Sequence, residues 1–406
     1  MIRFKFSCMT TILLCFVLSL PVFAEPGKIV PFVSIKQEYS DNILFSSSNE
    51  EEDFITTATA GVIYFYDSER VDAKLDGRLY HLFYWDNDQL DSTDGSVSGN
   101  WDYQVTERVG VGAAANYRND SRRDMDTNIT GLLLSGDREA VNFSVSSNYM
   151  FSEVTRGEAT FTYGWVEIDE INDDEDNDTI RLNLSFSKNL SKTFKNTMGL
   201  LDFSYLHYTA DLENISTATP GMTTYRDFTS DVLQLYTGFS RDITELYNVY
   251  LQIGASYTDT TESQRINQTI LKDQSTSSFG GVLASGLNYD GLYYDVGFSI
   301  SHDVRGGSGT NGTVERSAVS LGIDRKVSDD FFITFDTSCY LNRNDRETQA
   351  DLDELTINIQ PGFRYKFFDT FTLTGVYRYT IVENRQNDTT SERNMVYLMI
   401  RKDFDL

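Results

Sequence analysis

The chain has almost no cysteine, little proline, little basic charge and no long apolar run, and each shortage removes a class of protein. Of its three cysteines, Cys8 and Cys15 lie in the leading segment, which leaves Cys339 alone in the rest. A lone cysteine excludes an internal disulfide and a cysteine metal site. An exported chain of this size without disulfides suits a bacterial envelope better than a eukaryotic secretory route. Lysine and arginine total 34 against 61 aspartates and glutamates, a formal net charge of −27. That balance excludes nucleic acid as a partner on electrostatic grounds. Beyond the leader, no stretch approaches the run of about 18 apolar residues that a transmembrane helix needs.

The leader itself reads "MIRFKFSCMTTILLCFVLSLPVFA". Arg3 and Lys5 give a positive start, residues 9–20 an apolar core, and Val22-Phe23-Ala24 a small-residue cleavage site. The expectation is a secretory signal over residues 1–24, cleaved ahead of a single domain over residues 25–406. Cys15 does not mark a lipoprotein, because Leu14 precedes it where lipid attachment requires a small residue.

In "TIRLNLSFSKN", Ile180, Leu182, Leu184 and Phe186 alternate with Thr179, Arg181, Asn183, Ser185 and Ser187. A period of two is the mark of an extended strand, whose successive side chains point to opposite faces. The same alternation recurs over Val71, Ala73, Leu75, Leu79 and Phe83, and around Tyr247 and Tyr294. A sheet with one apolar face and one polar face is either a sandwich with water on one side or a membrane barrel with lipid outside and water within. Aromatic residues make up 13% of the chain, with 24 Tyr and 27 Phe, and this favours the barrel, where only every second strand residue must be apolar.

The connections decide between them. Short ones, such as "YDSER", "VTER", "NLSKTF", "DITELY", "KVSDDF" and "KFFDTF", alternate with longer polar ones at residues 40–53, 86–91, 120–137, 170–176, 211–225, 261–273, 305–311, 345–349 and 385–390. Alternating short turns and long loops predict an all-β, up-and-down antiparallel transmembrane barrel of about 18 strands, each roughly 10 to 16 residues long. The stretch "NITGLLLSG", residues 128–136, reads either as a further strand or as part of a long third loop folded inward, and the alternation favours the loop. The last strand, "MVYLMIRKDFDL", puts Val396, Leu398, Ile400, Phe404 and Leu406 on one face with Lys402 as the break. It resembles the terminal signal read by the barrel-insertion machinery of the outer membrane.

Motifs for chemistry are few. "GVGAAA" (residues 110–115) lacks the helix that a dinucleotide loop requires, and "RGGSGTNG" (residues 305–312) reads as an outer loop. His81, His207 and His302 fall on separate strands without ligand spacing, so no metal is expected. Ser301 and Asp303 flank His302, but strand neighbours point opposite ways and cannot meet it; a partner across strands stays open. The acidic runs at residues 46–53 and 170–178 sit in long loops and read as solvated charge, or as divalent-cation bridges to lipopolysaccharide. No cofactor and no enzymatic activity are expected. Lys74, Arg78, Arg181, Arg364, Lys366 and Arg378 fall on inward positions, interleaved with Asp72, Asp76, Asp295 and Asp324 and with Tyr80, Tyr250 and Tyr293. These residues are the candidate pore lining, suited to a hydrated polar solute or a sugar chain.

Two stretches carry a resemblance: "VSIKQEYSDNILF" (residues 33–45), followed by "EEDFITTATAGVIYFY" (residues 51–66). They resemble the opening of the outer-membrane β-barrel proteins associated with exosortase (PEP-CTERM) and exopolysaccharide gene clusters, in which an "EY-DN" strand end precedes "DFIT". "LSGDREAVNFSVSSNYMFSEVTRGEATFTYGW" (residues 134–165) looks like their mid-chain pattern. The resemblance implies an integral protein of a Gram-negative outer membrane that moves exopolysaccharide outward with periplasmic export partners. A general or sugar-selective diffusion porin and a closed barrel for adhesion are the alternatives.

Overall fold

The computed structural model describes residues 27–122, 137–169, 173–215, 223–266, 269–307, 312–344 and 352–404. The residues of the leader, and those of the "NITGLLLSG" stretch, lie outside them. Alternation becomes strand throughout. The first six strands are β1 (Lys28–Ser40), β2 (Asp53–Asp67), β3 (Val71–Tyr84), β4 (Ser92–Thr106), β5 (Val109–Asp120) and β6 (Asp137–Ser152). The next six are β7 (Thr155–Asp169), β8 (Asp173–Asn189), β9 (Thr197–Ile215), β10 (Thr223–Asp242), β11 (Tyr247–Ile266) and β12 (Thr269–Asp290). The last six are β13 (Tyr294–Gly307), β14 (Gly312–Lys326), β15 (Phe331–Asn344), β16 (Asp353–Phe367), β17 (Phe371–Asn384) and β18 (Thr389–Asp403). Among the described residues the helical content is one short turn, Asp88–Leu90. Every strand pairs antiparallel with the next, and β1 pairs with β18 from Phe32↔Asp403 to Ser40↔Met395, so the 18-stranded sheet closes on itself.

Closure gives each strand an inner and an outer face. Hydrogen bonds that leap across non-adjacent strands identify the inner one: Arg122 to Glu38 and Gln234 to Val304. Following the register from them, Leu75, Leu79, Phe83, Ile180, Leu233, Leu235, Leu398 and Ile400 point outward and are exposed. An apolar outside around a polar inside is the inverse of a soluble protein and the signature of a membrane barrel. Aromatic contacts lie at both rims. Trp101–Tyr103 and Phe367–Phe371 stack at the short-turn end, where Tyr149 meets Phe151 edge-on and Tyr247 packs at a tilt on Tyr289; Tyr39, Phe54 and Trp85 pack in a tilted row at the long-loop end. Lys402, the break in the terminal strand, lies over the Phe371 and Phe404 rings, its ammonium at the turn-end rim where a long cation can snorkel to water. In the β14–β15 turn Lys326 hydrogen-bonds Asp329 and holds its carboxyl below the usual range.

The strands on one side outgrow the expected length. β8 to β12 run 17, 19, 20, 20 and 22 residues. They consume most of the loops expected at residues 211–225 and 261–273, and place residues 173–178 of the second acidic run in strand. The reason is that a ladder needs apolar side chains only where lipid touches it; beyond the bilayer, polar residues pair equally well.

One pairing is incomplete. β12 pairs with β11 along nearly its whole length but with β13 only from Leu283↔His302 to Asp290↔Asp295. Above Leu283 the two strands part. β13 bends inward, where the Gln234 amide donates to the Val304 carbonyl at 2.9 Å and the Tyr208 ring fills the space beside Gly306. β12 is left with a free edge, and nothing stands within 4 Å of where a side chain would begin at Gly281. Amides without a partner strand exchange faster. Hydrogen exchange read by mass spectrometry is therefore expected to show residues 276–282 losing protection well before residues 283–290; equal protection would mean that the seam is zipped.

Candidate functional site

The enclosed space is narrow at one end and wide at the other. Towards the long loops its lining is buried: Glu38, Ser230, Val232, Asn342, Thr356, Thr380 and Arg393 are all under 3% exposed. Towards the short turns the inward Lys74, Asn100 and Asp102 are exposed, as in a water-filled vestibule.

At the narrow mouth, the residues of the "EY-DN…DFIT" motif act as a set of staples. Glu38 receives Arg122, 2.8 Å away, from beyond the end of β5, and Lys36 at 2.6 Å. The Tyr39 hydroxyl donates to Glu52. Asp41 accepts from the backbone and side-chain amides of Asn394, both at 2.7 Å, and so bolts β1 to β18. Asn42 is fully buried and donates to the Ser46 and Glu392 carbonyls. Asp53 caps the next loop by accepting from Trp85, Asp86 and Asn87. Phe45 holds a positive φ of 55°, costly for a bulky residue, and thereby lies buried under the Arg393 guanidinium.

Below the mouth, cations lie on aromatic rings. Phe32 carries Arg401 at 3.8 Å on its ring and Arg78 at 5.7 Å; Gly61 faces it because the ring occupies the place of a side chain there. Lys36 lies over Tyr397, Lys74 over Phe65, Arg364 over Phe332 and Arg316 over Tyr340. Opposite, the inward bend of β13 gathers a second group. Arg305 grips Asp303 through two nitrogens at 2.7–2.9 Å. Arg316 faces Asp303 across the β13–β14 ladder. Arg181 and Tyr236 stand within electrostatic reach of both Asp303 and Arg305. Asp202, which also acts on Tyr236, is held by Gln252, and Arg181 has no salt bridge among the described residues.

Of the nine candidate lining residues, Lys74, Arg78, Tyr80, Arg181, Tyr250, Arg364, Lys366 and Arg378 lie on inner-face positions of strands. Arg378 donates to Gln360 at 2.8 Å. Tyr293 departs from the expectation: it lies in the β12–β13 turn and is 60% exposed, because β13 begins one residue later. Lys36, Arg305, Arg316, Arg393 and Arg401 were missed, although their parity was readable; Arg401 alternates with Ile400, for instance. Arg122 lies beyond a strand end, where alternation gives no signal. The three histidines all point outward. His81 bonds Thr93, His207 bonds Asp231, and His302 bonds Ser317 and Glu315 on the next strand. Among the described residues no group of side chains could hold a metal.

No protein-family model matches the chain and no curated protein does. Solved structures do. The ferric-catecholate import receptor Fiu of E. coli K12 in its open form aligns with a TM-score of 0.52 at 9% identity, over 94% of this chain and 82% of that one. The ferric citrate transporter FecA aligns at 0.51 and 10% identity, over 89% of this chain; the match spans 61% of that protein's length. At such identity the likeness is one of fold. The chain is an integral β-barrel of the Gram-negative outer membrane, built like outer-membrane transporters and receptors.

The staples predict a stability effect confined to the seam. Asp41→Ala removes the acceptor of two part-buried donors of Asn394, a loss of about 1 kcal/mol. In urea titrations of the folded barrel in detergent the midpoint should fall accordingly. An unchanged midpoint would show that the bolt between the first and last strands carries no weight.

Proposed function

We propose that the barrel is the outer-membrane conduit for a secreted exopolysaccharide, working with the exosortase-associated export systems that its opening motif resembles. The observation that carries this reading is the series of cations laid on aromatic rings along the interior, running from Lys74–Phe65 through Arg78–Phe32–Arg401 to Arg316–Tyr340. Sugar rings stack on aromatic faces, and their hydroxyls and carboxylates accept from guanidinium N–H groups. Arg181, with no salt bridge among the described residues, is the natural donor to a passing acidic or hydroxylated group. The wide vestibule faces the short turns, the periplasmic side, where periplasmic export proteins would deliver the chain. Lipopolysaccharide would pack around the acidic long loops through divalent cations, and the terminal strand would serve the barrel-insertion machinery.

A second reading, the diffusion porin, draws on the Arg122–Glu38 contact, by which the start of the third long loop reaches across the mouth. The two readings separate in a strain lacking the gene. Export predicts polymer lost from the medium and retained in the periplasm. Unchanged polymer with slowed uptake of small sugars would favour the porin.

The charge of the lining is testable in planar bilayers. Replacing Arg181, Arg364 and Arg378 together with Ser should shift the reversal potential of the reconstituted barrel towards cation selectivity. A potential that does not move would remove these three residues from the ion path.

A further inference from the structure

The sequence raises Ser301 and Asp303 as neighbours of His302, but the fold partners that histidine with other residues. His302 is the last residue of β13 paired to β12, and across the β13–β14 ladder it stands directly opposite Ser317. Its Nδ1 lies 2.8 Å from the Ser317 hydroxyl, and its Nε2 3.0 Å from a carboxylate oxygen of Glu315. Glu315 and Ser317 are two residues apart on one strand and so share the outer face. An ionised carboxylate only accepts, so Nε2 carries the ring proton and Nδ1 is left to accept from the serine. We propose that Ser317, His302 and Glu315 form a nucleophile–base–orienter set on the outside of the barrel, and that it cleaves acyl esters of membrane lipids.

The placement selects the substrate. One step below the set on the same outer face come Ile300 and Val319, paired with each other, then Phe298 and Leu321. One step above, Glu315 pairs with Arg343, which in turn meets Asp353. The hydroxyl therefore sits where apolar wall gives way to charge at the long-loop rim, the depth at which a lipid's acyl ester lies below its headgroup. The wall is also notched there. β12 has left β13 immediately above Leu283, and the edge at Gly281 has no strand opposite its backbone amide.

The chemistry balances with water as the only co-reactant. Ser317 Oγ bonds to the ester carbonyl carbon as its proton passes to His302 Nδ1. The tetrahedral intermediate collapses by breaking the ester C–O bond, and the departing alkoxide takes that proton. Water then adds to the acyl-serine in the same way, and free fatty acid leaves with the serine hydroxyl restored. Glu315 holds the ring tautomer and steadies the imidazolium formed in each half.

The test uses the full folded barrel in mixed micelles with phosphatidylethanolamine, measuring released fatty acid, and a fluorophosphonate probe located by mass spectrometry. Expected are a label on Ser317 and acid release that falls to background in Ser317→Ala. His302→Asn should lose roughly 100-fold or more, and Glu315→Gln roughly 10-fold or more. Heat-modifiable migration confirms that each variant is folded. A folded wild-type barrel that leaves Ser317 unlabelled, or that releases no more acid than Ser317→Ala, overturns the assignment. Neither readout involves transport, so the result leaves the conduit reading to its own tests.

Discussion

A hydrocarbon layer offers no water to backbone N–H and C=O groups, and each one left unpaired there costs several kcal/mol. The structure answers that constraint by closing its sheet, and the rest of the molecule depends on the closure holding. The first and last strands are therefore the critical pair. Their ladder runs from Phe32↔Asp403 to Ser40↔Met395 and is extended at both ends, by Phe404 donating to the Pro31 carbonyl below and by Asp41 with Asn394 above. Staples at the top matter because strand ends fray, and fraying here would open the cylinder along its length.

The one long departure from pairing falls where the constraint relaxes. β12 and β13 separate only above Leu283, and the residues of β12 exposed by the separation are Ser275, Ser277, Phe279 and Gly281. A small, hydroxyl-rich edge can be satisfied by water, whereas the Leu287–Phe298 and Leu283–His302 levels below it remain paired. The departure has consequences on both sides of the wall. Inside, it carries Arg305 and Arg316 towards Arg181 and narrows the mouth. Outside, it leaves His302 at the lip of a notch. A wall that was regular everywhere would have neither feature.

Alternation made most of this legible. It fixed strand identity, the number of strands and the facing of Lys74, Arg78, Arg181 and Arg364, because a period of two is imposed residue by residue and needs no knowledge of neighbours. It failed where neighbours decide. The lengths of β9 to β12 depend on polar residues continuing a ladder that apolar periodicity no longer marks. Tyr293 has inward parity but is taken by a turn. His302 could not be matched to Ser317 and Glu315, since their meeting depends on the register of β13 against β14, fifteen residues apart in sequence. The motif at residues 38–56 announced itself as a pattern of residue types, yet its physical content, a bolt to Asn394 at the far end of the chain, lies in the closure.

The interior charge is not what a net −27 would suggest, and how its cations are held bears on what they can do. Arg78, Arg305 and Arg401 each pair with an aspartate two residues away on the same strand, Asp76, Asp303 and Asp403. Such pairs occupy one edge of the guanidinium and fix its direction. The ring beneath occupies a face: Phe32 under Arg78 and Arg401, Tyr340 under Arg316. A planar fork held by one edge and one face still presents N–H donors along its remaining edge. Full neutralisation by carboxylates would have consumed those donors, and a bare arginine would have had no fixed direction. Sharing the hold between one counter-charge and one ring face keeps Arg78 and Arg401 both ordered and able to donate, which is what a wall must do if a hydrated polar chain is to be gripped briefly at each step and then released.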